Sequence, residues 1–119
     1  MKAMNQIRWA QRLGNCRVYQ ASGDFLSERA RPDFQPAVLR RGDDVREAAL
    51  PALTRALIEK LFEHAPIESI EVDQFSITVK VNEMSFGRYD SHKFCISTIH
   101  QILWGQDADV LVVQTTFLG

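Results

Sequence analysis

Residues 51–81, PALTRALIEKLFEHAPIESIEVDQFSITVKV, change from a helical to a strand period within one short stretch, and few folds accommodate that change. Leu50, Leu53, Leu57 and Leu61 recur at three- and four-residue steps, with Thr54 and Ile58 beside them. They fall on one helical face, while Arg55, Glu59, Lys60 and Glu63 fall on the other. Pro51 suits a first turn, where its missing N–H is not needed. Pro66 disfavours helical geometry at Ala65, so the helix is expected to stop near His64. Glu59 and Glu63 repel by roughly 0.2–0.5 kcal/mol. Burial of each leucine contributes roughly 1.5–3 kcal/mol, so the apolar stripe prevails.

After Pro66 the period becomes two. Ile70 and Val72 point one way and Glu71 the other. Phe75, Ile77, Val79 and Val81 then alternate with Ser76, Thr78 and Lys80, the signature of a half-buried strand. The short Asp73–Gln74 link implies an antiparallel pair, because a parallel pair needs a long crossover. Downstream, Asp90 is the expected N-cap of a helix from Ser91 to Trp104 that gathers Cys95, Ile96, Ile99, Ile102 and Leu103, with Gly105 ending it. The run Val110–Val113 begins a last strand, expected to reach Phe117 and to lie centrally in the sheet, because continuous apolar strands are covered on both faces.

The N-terminal third is less periodic. Residues 2–13 are expected as a short helix, Asn15–Tyr19 as a strand ended by Ser22–Gly23–Asp24, and residues 27–44 as an irregular connection with an extended piece at Ala37–Leu39. Residues 1–14 and 27–44 are the candidate irregular or mobile parts of one domain spanning 1–119. The order strand, helix, strand, strand, helix, strand predicts an α+β fold: a two-layer sandwich with a mostly antiparallel four-stranded sheet and two helices on one face.

Composition narrows the function classes. The chain is 45% hydrophobic and 24% charged, as ordinary globular domains are. No apolar run approaches a membrane span and the N-terminus has no apolar signal core, so a cytoplasmic protein without membrane contact is expected. Cys16 and Cys95 form neither a disulfide framework nor a four-ligand metal site, and no cofactor is expected. His92, Cys95 and His100 share one predicted helix, but His100 lies about 80° from His92 and about 140° from Cys95 around its axis, so the three diverge. There is no G-x-S-x-G elbow and no phosphate-cradling glycine loop.

Residues 1–46 hold nine Lys/Arg against five Asp/Glu, and residues 47–119 hold five against ten. Arg8, Arg12, Arg17, Arg40 and Arg41 are therefore the candidate contacts for nucleic acid, the alternative function. Met84, Phe86 and Tyr89 concentrate apolar and aromatic character in the loop 82–90. Interfaces favour such residues, which makes these three the candidate anchors for a protein partner or for a second copy in a homo-oligomer. An enzyme with an unrecognised site beside the 27–44 segment is a third reading, and no catalytic motif supports it.

The stretch PALTRALIEKLFEHAP, the run Phe75-Ser76-Ile77-Thr78-Val79-Lys80 and the helix at Ser91–Trp104 together resemble the N-terminal domain of Nfu (NifU-like) iron–sulfur scaffold proteins. The resemblance covers about residues 51–104; the family's early N-P-rich strand has only Asn15–Tyr19 as its nearest counterpart. The family's cluster-binding C-x-x-C is absent. The resemblance thus implies a copy of the non-ligating domain: an interaction or accessory module of iron–sulfur assembly that holds no cluster itself.

Overall fold

Gly14 and Asn15 both adopt positive φ (76° and 60°), and they fold the N-terminal stretch into a hairpin. The computed structural model describes residues 5–22, 36–48, 50–73, 76–82, 86 and 90–116. Strand β1 (Asn5–Arg12) pairs antiparallel with β2 (Cys16–Ala21), Arg12 opposite Cys16. The expected helix at 2–13 is therefore a strand from residue 5 onward. The physical reason is the turn: Gly and Asn tolerate left-handed backbone, and such residues close a hairpin whose twist matches its strands. Ile7 and Trp9 then alternate with Arg8, and period two replaces the scattered helical pattern.

The other elements follow the sequence more closely. Strand β3 (Ala37–Arg40) contains the extended piece expected within 27–44. Helix α1 (Ala52–Leu61) begins directly after Pro51, and Thr54, Leu57, Ile58 and Leu61 are buried. Strands β4 (Ile67–Val72) and β5 (Ile77–Val81) pair antiparallel, Val72 opposite Ile77. Helix α2 (Ser91–Trp104) has the predicted bounds, and Gly105 at φ 85° sends its N–H to the Gln101 carbonyl. Asp90 does not cap α2 with its side chain as expected; it stands in the left-handed region at φ 52°. Strand β6 (Val110–Gln114) closes the fold.

Among the described residues the sheet is six-stranded and mixed, in the order β3-β4-β5-β2-β1-β6, where a mostly antiparallel sheet of four strands was expected. Among the described strands, only β6 runs parallel to its neighbour, β1. The class is α+β, with α1 and α2 packed on one face. Cross-strand register places Ile7, Tyr19, Ala21, Leu39, Ile70, Val72, Ile77 and Val79 on that face, where they join Leu57, Ile58, Leu61, Cys95 and Ile99 in the core. The opposite face carries exposed Arg8, Arg12, Glu71 and Lys80 around a small buried pair, Ala10 and Val18.

Strand β6 overturns one expectation. It lies at the edge of the sheet, and Leu111 and Val112 are 46% and 43% exposed. A continuous apolar run is compatible with a two-face core, but here the run lines an outer edge.

Candidate contact surface

Two sets of residues carry features beyond simple packing. The first is a polar network beneath the start of α2. Tyr19, only 1% exposed on β2, makes a hydrogen bond of 2.9 Å to His92 Nδ1, with the Cys95 thiol as a neighbour. The His92 ring lies 4.2 Å from that of Trp9. Arg17 sits above, with its guanidinium 4.6 Å from the Trp9 ring and 4.6 Å from the Phe86 ring, and its Nε donates to Gln11 Oε1 at 2.7 Å. A guanidinium between two aromatic faces is a favourable cation–π arrangement. Register explains the grouping: Gln11 faces Arg17 and Trp9 faces Tyr19 across β1 and β2.

Burial controls the ionisation of this network. It pushes the Cys95 thiol up to about 12, with smaller lowering effects from Tyr19 and Arg17. It also pushes the Tyr19 phenol upward, and Cys95 adds to the rise. His92 is held down to about 4, first by burial and then by the charge of Arg17. Folded His92 is thus neutral, and its Nδ1 shares a hydrogen bond with the Tyr19 hydroxyl. The unfolded chain takes up the imidazole proton near pH 6.5 and the folded chain only near 4, so the unfolded state binds more protons between these values. The stability that neutral His92 contributes is full above about pH 6.5, falls as the pH drops, and levels off below about 4. Denaturant unfolding of the protein and of His92→Gln at pH 7, 5.5 and 4.5 is expected to show the variant losing less stability on acidification. A parallel decline would remove His92 as the titrating group.

The candidate anchors are partly placed. Phe86 is half-buried and packs against the core; Met84 and Tyr89 lie outside the described residues. The five candidate arginines do not form one surface. Arg17 belongs to the stack on the helical face, whereas register puts Arg8, Arg12 and Arg40 on the opposite face. Arg41 binds three carbonyls after α1, those of Ile67 (2.9 Å), Phe62 (3.0 Å) and His64 (2.7 Å). A guanidinium fork suits such clustered acceptors, two from the turn after α1 and one from the first residue of β4.

The histidines separate as their spacing implied. His64 bonds Ser91 Oγ at 2.8 Å and stacks on Phe94, with ring centroids 4.6 Å apart. Burial and then the charge of Arg41 lower the His64 pKa. His64, Asp90, Lys93, Phe94 and Ser97 line a cleft of about 300 Å³. Ser91 is fully buried, so the Ser91–His64 pair ties α1 to α2 and offers no accessible nucleophile. His100 Nε2 donates to the Ala108 carbonyl at 2.8 Å, holding the link that leads into β6.

The second set is the edge of β6. Thr115 N–H donates to the Trp9 carbonyl at 2.8 Å, so residue 115 turns its backbone groups toward β1. Direction alternates along a strand, so Leu111 and Val113 also bond inward, while Val110, Val112 and Gln114 present N–H and C=O outward. No described strand lies on that side. Edges are usually blunted by charge, proline or shortness. The other edge, β3, has four residues, follows Pro36 and ends in Arg40. Strand β6, Val-Leu-Val-Val-Gln, carries neither charge nor proline. The sequence contains that signal, but an uncharged apolar run reads equally well as a central strand.

Comparison with known proteins gives no match to a family model, to a curated protein or to a solved structure.

Proposed function

We propose that this protein is a small interaction or accessory module that binds protein partners by accepting an extended strand along β6. The outward edge of Val110, Val112 and Gln114 carries the reading: main-chain groups supply affinity, and exposed Leu111 and Val112 supply apolar contact. The Arg17–Trp9–Phe86 stack is a second contact region beside the start of α2, and Met84 and Tyr89 are its candidate anchors by sequence alone. The likeness of residues 51–104 to the Nfu N-terminal domain supports a role in iron–sulfur assembly, as a component that holds no cluster.

Affinity capture from the native host tests the edge. Tagged protein and the exposed-helix control Glu59→Gln are expected to recover the same partner. Leu111→Lys is expected to recover at least about tenfold less, with its stability within about 0.5 kcal/mol of the parent, as for other surface changes. Equal recovery by all three proteins would remove β6 as the contact.

A further inference from the structure

The outward groups of β6 have a symmetry of their own. They belong to residues 110, 112 and 114, a set centred on Val112. We infer that the strand accepted at this edge comes from a second copy of the chain, paired antiparallel about a two-fold axis at Val112. The inference rests on the strand-addition reading above and names its partner.

Three observations favour self-pairing. With Val112 opposite Val112 of the second copy, Val110 falls opposite Gln114 and every outward N–H and C=O finds a partner. No outward group of the strand is then left over, as follows when one surface meets itself across a two-fold axis. The side chains also agree. Leu111 falls opposite Val113 of the second copy on the open face, and the two Val112 side chains meet on the helical face. Charge sets the direction. Asp107 and Asp109 precede the strand. Antiparallel pairing sets Asp109 against Thr115 of the second copy, whereas a parallel pair would set Asp109 against Asp109. The opposite edge is a poor competitor: β3 is short and ends in Arg40, and β6–β3 contact would propagate head to tail without closing.

A five-residue strand pair falls well below the roughly 1,200 Å² of a stable interface, so the dimer is weak and reversible. Sedimentation velocity from about 5 to about 500 µM is expected to show monomer passing to dimer, with no larger species, because a two-fold pairing closes on itself. Two variants should abolish the shift. Val112→Pro removes an outward N–H and leaves the ladder to β1 intact, and Leu111→Lys puts a charge opposite Val113. Circular dichroism confirms that each is folded. A third variant reports register. A hydrogen-bonded antiparallel pair holds its Cα atoms about 5.5 Å apart, within reach of a disulfide. Val112→Cys in a Cys16→Ser background is therefore expected to cross-link on mild oxidation, and Glu59→Cys in the same background is not. A chain that stays monomeric and fails to cross-link would overturn the inference, as would dimers that persist in both edge variants. Partner capture that still depends on Leu111 in a monomeric chain would leave the strand-addition reading standing and discard only the second copy.

Discussion

Leu57→Ala and Ile77→Ala are each expected to lower the unfolding free energy by about 2–5 kcal/mol, and Thr78→Ala to change it by less than about 1 kcal/mol. Leu57 is fully buried on α1, and Ile77, 1% exposed, packs beneath it on β5 in the same core. Truncating either side chain forfeits its transfer free energy and leaves a void that a dense interior closes only in part. Thr78 is next in sequence to Ile77, but its side chain turns to the face opposite α1 and α2 and is only half-buried. The comparison reads strand facing directly, because one residue reverses the side of the sheet. Urea unfolding of the three variants, with unchanged denaturant dependence, is the measurement. Equal losses at Ile77 and Thr78 would mean that β5 is not one-sided.

The parts of the fold that were legible in the sequence share a physical property. In α1, β4, β5 and α2, one period persists long enough to define a face, and Pro51, Pro66 and Gly105 mark the ends. Strand β1 lacked that advantage. Its faces are defined by Ile7, Trp9 and Ala10, and Ala10 is buried on the side opposite Ile7 and Trp9, so an alternating strand imitates a poor helix. The positive φ of Gly14 and Asn15 settles the matter locally, and the Gly-Asn pair was the available signal. Strand β6 shows a different limit. Hydropathy records how apolar a strand is, but neighbours decide whether it lies inside or at an edge, and its parallel pairing with β1 is a tertiary fact.

The candidate site was legible only in part for the same reason. Phe86 drew notice as an aromatic residue in a loop, but its partner Arg17 is distant in sequence and became visible only when β2 met the loop. Arg41 counted toward a basic surface, yet its fork closes on the Phe62, His64 and Ile67 carbonyls, acceptors that meet only after α1 ends and β4 begins. Composition counts charges. It does not reveal which of them the fold itself consumes.

Tyr19→Phe is expected to cost about 1–3 kcal/mol at neutral pH, although it removes a single oxygen, because it leaves the half-buried His92 Nδ1 without its hydrogen bond. The Tyr19 hydroxyl bonds His92 Nδ1 beside the Cys95 thiol, and all three groups lie under the start of α2. Water cannot readily replace it, since Tyr19 is 1% and Cys95 0% exposed. The ring remains in the variant, so lost packing contributes little, and the cost reports the hydroxyl. Thiol labelling supplies a second readout. Half-exposed Cys16 is expected to react in the native protein, whereas Cys95, buried and with its pKa pushed up to about 12, reacts only when the chain opens. Tyr19→Phe should therefore hasten labelling of Cys95 in proportion to the lost stability and leave Cys16 unchanged, because labelling through opening tracks the population of the open state. Unchanged stability together with unchanged Cys95 labelling would mean that the hydroxyl bridge contributes nothing, and that His92 is held by the Trp9 ring alone.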